Sequence, residues 1–168
     1  MKKYFETSEE NFKIRFATVD DVPLILQLIK DLATYEQLLH EVVATEDLLR
    51  TSLFENKQAE VIIGECMGKP VGYALFFHNF STFLGKSNLY LEDLFVNPEF
   101  RGKGFGKIML AFLGKIAVDR GCGRLDWWCL NWNTSSIDFY KEMGADPMSD
   151  WTVYRVEGQK LAELSEMV

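Results

Sequence analysis

Apolar and polar residues alternate over residues 12–17, Phe12-Lys13-Ile14-Arg15-Phe16-Ala17, which is the period of a half-buried strand. The period then lengthens. Val22, Ile25, Leu28, Ile29 and Leu32 recur at helical spacing, so residues 20–35 are expected to form a helix with one buried face. Thr18 precedes it as an N-cap with Asp21 three residues on, close to a capping box, and Pro23 is tolerated in a first turn. Residues 36–43 break the pattern and read as a loop, after which Thr45 caps a second short helix reaching about residue 54. Two β-rich runs, residues 59–66 and 71–78, flank Met67-Gly68-Lys69-Pro70, turn chemistry that predicts an antiparallel hairpin. Residues 1–11 are polar and are expected to be a flexible tail.

In the second half, residues 79–88 read as a polar and aromatic loop with Phe80-Ser81-Thr82-Phe83-Leu84-Gly85-Lys86 at its centre. An apolar run over residues 89–96 predicts a strand, stopped by Asn97-Pro98 because proline has no N–H for a ladder. Residues 104–120 carry Ile108, Leu110, Ala111, Ile116 and Val118 and predict an amphipathic helix with Gly121 as its C-cap. A strand over 124–130 follows, then a helix capped by Asn133 and Thr134 and ended by Gly144. A last strand over 151–157 and a frayed helix over 160–167 complete the chain. There are no repeats or low-complexity stretches. Early hairpins and one strand–helix–strand unit in the middle predict an α/β fold of one domain over residues 1–168, a mixed sheet with helices packed on it.

Composition narrows the classes. At 48% hydrophobic and 14% aromatic, the 168 residues can bury a substantial core, and disorder is excluded. A net charge of -7 argues against a nucleic-acid partner and is compatible with a cationic one. Three cysteines, Cys66, Cys122 and Cys129, are an odd count without paired spacing, which suggests reduced thiols and a cytoplasmic setting. With only His40 and His78 besides, no metal cluster can be spelled out. No apolar stretch is long enough to span a bilayer, and the N-terminal residues lack the apolar core of a signal peptide, so no membrane partner is expected.

The chemistry concentrates in Leu89-Tyr90-Leu91-Glu92-Asp93-Leu94-Phe95-Val96 and the glycine-rich turn after it, Arg101-Gly102-Lys103-Gly104-Phe105-Gly106-Lys107. A strand feeding a basic, glycine-rich turn that opens a helix suits a phosphate: the backbone can approach closely, successive N–H groups face the anion, and the helix dipole adds positive charge. A P-loop needs Ser or Thr after Gly-Lys, and Gly106-Lys107 is followed by Ile108. A dinucleotide fingerprint needs its third glycine one place later than Gly106. A pyrophosphate cradle for coenzyme A and a plain glycine-rich turn are the readings left.

Arg-Gly-Lys-Gly-Phe-Gly resembles the R/Q-x-x-G-x-G/A signature of the GNAT superfamily of acetyl-CoA-dependent N-acetyltransferases. Residues 89–96, the glycine turn, Trp132-Asn133 through Ser136-Ile137-Asp138-Phe139-Tyr140-Lys141, and Gly144-Ala145 resemble its spermidine/spermine (diamine) N-acetyltransferase branch, as does the first helix near residues 26–36. The likeness covers nearly all of residues 14–157. It implies a mostly antiparallel sheet splayed at two adjacent strands with helices on both faces, acetyl-CoA as co-substrate, and a homodimer.

The resemblance also implies roles. Backbone groups of Leu94, Phe95 and Val96 would hold pantetheine. The amides from Gly102 through Lys103, Gly104, Phe105 and Gly106 to Lys107 would hold the pyrophosphate, with charge from Arg101 and Lys103. Asn133, Thr134, Ser135 and Ser136 would line the cofactor's other side. Glu92 would take the amine's proton through a water, the alternative being a strand carboxylate that faces solvent. Neighbouring strand residues point to opposite faces, so Glu92 and Asp93 share a role only if a bulge intervenes. Tyr140 would protonate the departing thiolate; read without the resemblance, it is an aromatic packed beside Ile137.

Tyr35, Glu36, Glu92, Asp93, Asp126 and Trp151 match substrate positions for a small amine. Two departures from the polyamine pattern stand out. Ser81-Thr82-Phe83 replaces an acidic loop, and Ser149-Asp150-Trp151 replaces Glu-Gly-Trp. The first of these resembles relatives that prefer thialysine or lysine-like amines. A peptide acetyltransferase and a non-catalytic CoA-binding module are the rival classes.

Overall fold

The computed structural model describes residues 3–168, which form two compact units, one ending at Trp128 and one spanning Cys129–Val168. In the first unit, strands β1 (Tyr4–Glu6), β2 (Phe12–Phe16), β3 (Glu60–Cys66), β4 (Lys69–Ser81), β5 (Lys86–Val96) and β6 (Leu125–Trp127) lie in one sheet in chain order. Successive pairs are antiparallel except β5–β6, which is parallel. The right-handed crossover expected for parallel neighbours is supplied by α3 (Phe105–Asp119).

The alternation in β2 and β3 divides the core between two faces. Ile25 and Leu28 of α1 (Val22–Tyr35) pack with Leu53, Val61, Ile63, Tyr73 and Phe95 on one face. On the other, Phe105 at the start of α3 stacks on Phe12 with ring centroids 4.2 Å apart, and Phe5 meets Phe112 at 5.0 Å. Gly64 makes room for this layer, since a Cβ there would fall 2.7 Å from the Phe12 ring. α1 is entered through Thr18, whose backbone N–H donates to Asp21 Oδ2 at 2.8 Å, as in a capping box. Asp21 also accepts both terminal nitrogens of Arg15, at 2.7 and 2.9 Å, and Arg15 Nε donates to Glu65 Oε1 at 2.6 Å. This ionic group is buried, with Arg15 1% exposed, and ties β2, β3 and the start of α1 together.

The expected second helix is α2 (Glu46–Leu49), whose N-cap Thr45 accepts from Leu48 N–H, continued by a π-helical turn over Arg50–Glu55. The hairpin turn between β3 and β4 has Met67 and Gly68 at φ 52° and 76°, the conformation of a tight two-residue connection.

Three expectations are corrected in this part of the chain. The tail contains β1, because Tyr4, Phe5 and Glu6 find a ladder against Arg15, Ile14 and Lys13. The loop assigned to residues 79–88 is two strand ends: pairing runs out to Ser81↔Lys86, and only residues 82–85 turn. The strand expected over 124–130 is confined to Leu125–Trp127.

The second unit holds α4 (Thr134–Glu142) and α5 (Gln159–Ser165). Residues 151–157 were expected to be a strand and join no ladder here. Alternating apolar residues create strand propensity, but a strand needs a neighbouring edge, and among the described residues the second unit contains no other strand. No described helix is long and apolar enough to cross a membrane.

Candidate active site

The register of β4 against β5 decides where the two carboxylates of β5 point. Leu75 pairs with Asp93 and Phe76 with Leu91, which leaves Glu92 as an extra residue. Such a bulge removes one step of the alternation. Directly paired residues share a face, so Asp93 joins Leu75 and Tyr73 on the α1 face, while Leu91 joins Phe76 on the α3 face. Glu92 and Asp93 therefore act on the same side, the condition on which a joint role depends.

Tyr73, fully buried, donates its hydroxyl to Asp93 Oδ2 at 2.7 Å. Asp93 is half-buried, and burial pushes its carboxyl above the usual range, while the Tyr73 hydrogen bond opposes the shift. Glu36, the C-cap of α1, is raised by burial and then by the Asp93 charge. Tyr73 is itself held well above the ordinary phenol range, by burial first and then by Asp93, Glu36 and Glu92. Next along β5, the Tyr90 hydroxyl is pushed up to about 12 by burial, then by the charges of Glu92 and Asp126. Glu36, Glu92, Asp93 and Asp126 thus form a negative field around two tyrosines, at the junction of α1, β4, β5 and β6. Tyr35 stands at its rim, with the Arg101 guanidinium 4.3 Å from its ring centroid.

β6 borders only part of β5. β6 pairs with β5 at Leu89↔Leu125, Tyr90↔Asp126 and Leu91↔Trp127, and among the described residues the ladder ends there. β5 runs on through Leu94, Phe95 and Val96 beyond the reach of β6. Phe95 is buried, 3% exposed, and pairs with Tyr73 of β4. Arg101 reaches back to donate Nε–H to the Val96 carbonyl at 2.9 Å. Its charge is therefore already engaged with that carbonyl and the Tyr35 ring.

The glycine turn follows. Gly102 and Gly104 have φ of 75° and 78°, and Gly104 is the N-cap of α3. A Cβ at either would meet nothing within 4 Å, so the space over the turn is open. Ile108 N–H bonds Gly104 O at 3.0 Å, the first bond of the helix, which leaves the earlier amides at the helix mouth without intrahelical acceptors. Phe105 anchors the turn through its stack on Phe12, and the Lys103 ammonium lies 5.0 Å from the Phe100 ring centroid. Gly106 and Lys107 complete the first turn of α3.

The remaining site residues lie in the second unit. Asn133 caps α4, its Oδ1 accepting from Ser136 N–H at 3.3 Å and Ser135 Oγ at 3.2 Å. Thr134 opens the same helix, and Tyr140 is half-buried on it with its ring 5.2 Å from Phe139. Trp151 is exposed. The structure thus gathers Tyr35, Glu36, Glu92, Asp93 and Asp126 in the first unit, beside the residues of the glycine turn. Sequence reasoning missed Tyr73. The available signal was a hydroxyl-bearing residue at a core-facing position of the Val71–His78 run, where phenylalanine would pack as well.

A mixed sheet with a three-pair parallel β5–β6 ladder, a carboxylate cluster beside it and a glycine turn opening α3 define an α/β protein with the elements of a nucleotide-cofactor transferase fold. Residues 25–145 match the model of the acetyltransferase (GNAT) family. The chain is 36% identical to a thialysine N-epsilon-acetyltransferase of Bos taurus, over 90% of this chain and 96% of the relative. It is 31% identical to the L-ornithine N5-acetyltransferase NATA1 of Arabidopsis thaliana, over 92% and 88%. Among solved structures, an integron cassette protein from the mobile metagenome of V. cholerae superposes with a TM-score of 0.79 at 27% identity, covering 94% of this chain and 99% of that one. The chain belongs to the GNAT acetyltransferase family and is an acyltransferase.

Proposed function

We propose that the protein transfers an acetyl group from acetyl-CoA to a primary amine of a small cationic substrate, by direct attack of the amine on the thioester. The observation that carries this reading is the bulge at Glu92, which turns Glu92 and Asp93 to the face where Glu36 ends α1, beside the end of the β5–β6 ladder. Acetyl-CoA fits the residues present: an exposed glycine turn at the mouth of a fifteen-residue helix for the pyrophosphate, and the Leu94–Val96 backbone for the pantetheine arm, added like a strand. The family model runs across both units, which supports a single catalytic domain containing Tyr140 as well as Glu92.

An alkylamine has a pKa near ~10 and arrives as ammonium. Glu92 accepts its proton through a water. The freed nitrogen bonds to the thioester carbon, whose oxygen is polarised by a strand amide near Phe95, and the C–S bond breaks. Tyr140 donates its proton to the departing thiolate, and the surplus proton on the acylated nitrogen returns to the Tyr140 phenolate, leaving a neutral amide and free thiol. Asn133 to Ser136 line the cofactor's other side. Thialysine and ornithine, named in the relatives, each carry a second amino group besides the one acetylated, and several neighbouring carboxylates suit such a substrate. The proposal therefore covers thialysine-type amino acids, diamines and polyamines.

A homodimer is part of the same reading. Trp151, Val153, Tyr154 and Val156 expose apolar side chains, the sort of surface a second copy covers. So is residence in the cytoplasm, which rests on the odd cysteine count.

The test is thiol release from acetyl-CoA across cadaverine, spermidine, lysine and thialysine. Turnover on at least one is expected, and acetylation of peptides alone refutes the proposal. Tyr140→Phe is expected to lower kcat by about 100-fold or more with little change in acetyl-CoA affinity; an unchanged kcat removes Tyr140 as the acid.

A further inference from the structure

Tyr73 has no part in the steps above, yet its surroundings are unusual for a core residue. It packs with Ile25, Leu28, Leu53, Val61, Ile63 and Phe95, fully buried. A buried hydroxyl is costly unless bonded, and this one spends its proton on Asp93 Oδ2 at 2.7 Å. Phenylalanine would fill the same space without that cost. The hydroxyl therefore has its consequence at Asp93.

Asp93 and Glu36 come from different elements, β5 and the end of α1, and are close enough that the charge of one raises the pKa of the other. The titratable groups that interact with Asp93 are Tyr73 from β4 and Glu36 from α1; Glu92, on its own strand, acts with them on Tyr73, and Glu92 and Asp126 act on Tyr90. Arg101, from the loop after β5, is committed to Val96 O and the Tyr35 ring. Two carboxylates in this position repel each other, and a cation between them relieves both.

We propose that Tyr73 is a positioning residue whose hydrogen bond holds the Asp93 carboxylate beside Glu36, so that the pair receives the second cationic group of the substrate while Glu92 serves the amine that is acetylated. This rests on the amine-acetyltransferase reading and assigns the selectivity for dications over monocations within it. The hydroxyl also favours the charged form of Asp93. Without it the Asp93 proton is held to higher pH, and dication binding weakens earlier as pH falls.

The experiment compares the full chain with Tyr73→Phe, using cadaverine and its monocationic analogue pentylamine over a pH series. In the variant the KM for cadaverine is expected to rise about tenfold more than that for pentylamine, the worth of one hydrogen bond to a charged group, and its acid limb to move to higher pH. The ¹³C resonance of the Asp93 carboxyl, followed without acetyl-CoA, is expected to titrate at higher pH in the variant. Cadaverine is expected to shift that titration downward more strongly in the parent. Equal KM changes for both amines with an unmoved acid limb would leave Tyr73 a packing residue and overturn the proposal, as would an unmoved Asp93 titration. A parent that acetylates neither amine removes the acetyltransferase reading instead; the carboxyl titration with and without cadaverine then decides the Tyr73 proposal alone.

Discussion

Gly72→Ala is expected to separate the sheet's stability from its grip on the coenzyme. Gly72 pairs with Val96 across the β4–β5 ladder, immediately beside the segment assigned to pantetheine. A Cβ there would lie 3.2 Å from Val96 Cα and 3.3 Å from Val96 Cγ2, and closer still to the Phe95 carbonyl oxygen. Two of these three neighbours are backbone, so no rotamer change relieves the clash. The strands must part locally by roughly an ångström to restore ordinary contact. The segment is also held by Asn97 N–H to Val71 O at 2.8 Å and by Arg101 to Val96 O at 2.9 Å, which resist the shift. Overpacking of this kind costs about 1–3 kcal/mol, and the alanine recovers up to about 1 kcal/mol by restricting the unfolded chain. The net loss is about 1–2 kcal/mol, or about 2–8 °C in Tm for a chain of this size. Urea titration reads the stability, and acetyl-CoA affinity reads the grip. Both are expected to fall, the affinity because the displaced atoms at Phe95 and Val96 are the ones proposed to pair with the cofactor. A variant as stable as the parent would refute the packing argument. One destabilised with unchanged affinity would refute the placement of pantetheine.

Three further outcomes are expected. Gly104→Ala places a side chain at φ 78° and strains the N-cap of α3 by about 1 kcal/mol; acetyl-CoA affinity is expected to fall well below that of Gly106→Ala, whose Cβ has space with Val96 Cγ2 4.0 Å away, as isothermal titration would show. Arg15→Met leaves the Asp21 and Glu65 carboxylates buried without their partner and is expected to cost about 3–5 kcal/mol in denaturant unfolding; a loss under 1 kcal/mol would contradict the burial. Glu36 has a raised carboxyl in the fold, so the folded state holds its proton more tightly than the unfolded one, and the stability this contributes at low pH is lost as pH rises through the raised value. Glu36→Gln is therefore expected to gain Tm relative to the parent above the usual carboxylate range and not below it, while weakening amine binding.

Periodicity made most of the fold legible. The helical spacing of Val22, Ile25 and Leu28, the turn chemistry of Met67-Gly68 and the proline stop at Pro98 are local signals, and the structure follows each of them. What stayed hidden depended on partners distant in sequence. Tyr4–Glu6 is polar enough to read as a tail and becomes a strand only because β2 offers an edge. The extension of β4 to Ser81 and of β5 back to Lys86 required the two halves of the Phe80–Lys86 stretch to pair with each other. Residues 151–157 err in the other direction, since their alternation is real and no edge meets them within their unit.

The site shows the same division more sharply. The glycine turn was legible because it is a backbone conformation, and glycine is the residue that permits φ near +75°. The carboxylate cluster was legible only as separate residues: Glu36 ends a helix, and Glu92 and Asp93 are consecutive on a strand, an order that by itself sends them to opposite faces. One inserted residue in the β4–β5 register reverses that, and no property of Glu92 announces it, because a bulge is a mismatch between two strands. The bulge also falls at the point where β6 leaves β5, with Leu91 the last paired residue and Glu92 the first beyond it. A bulge bends its strand, so one irregularity would both favour the end of the β5–β6 ladder, where the thioester is proposed to lie, and turn the proposed base toward the amine. Cofactor grip and proton acceptor would then be coupled through the backbone at Glu92. A deletion restoring the β4–β5 register would be expected to remove both at once, whereas Glu92→Gln should remove only the second.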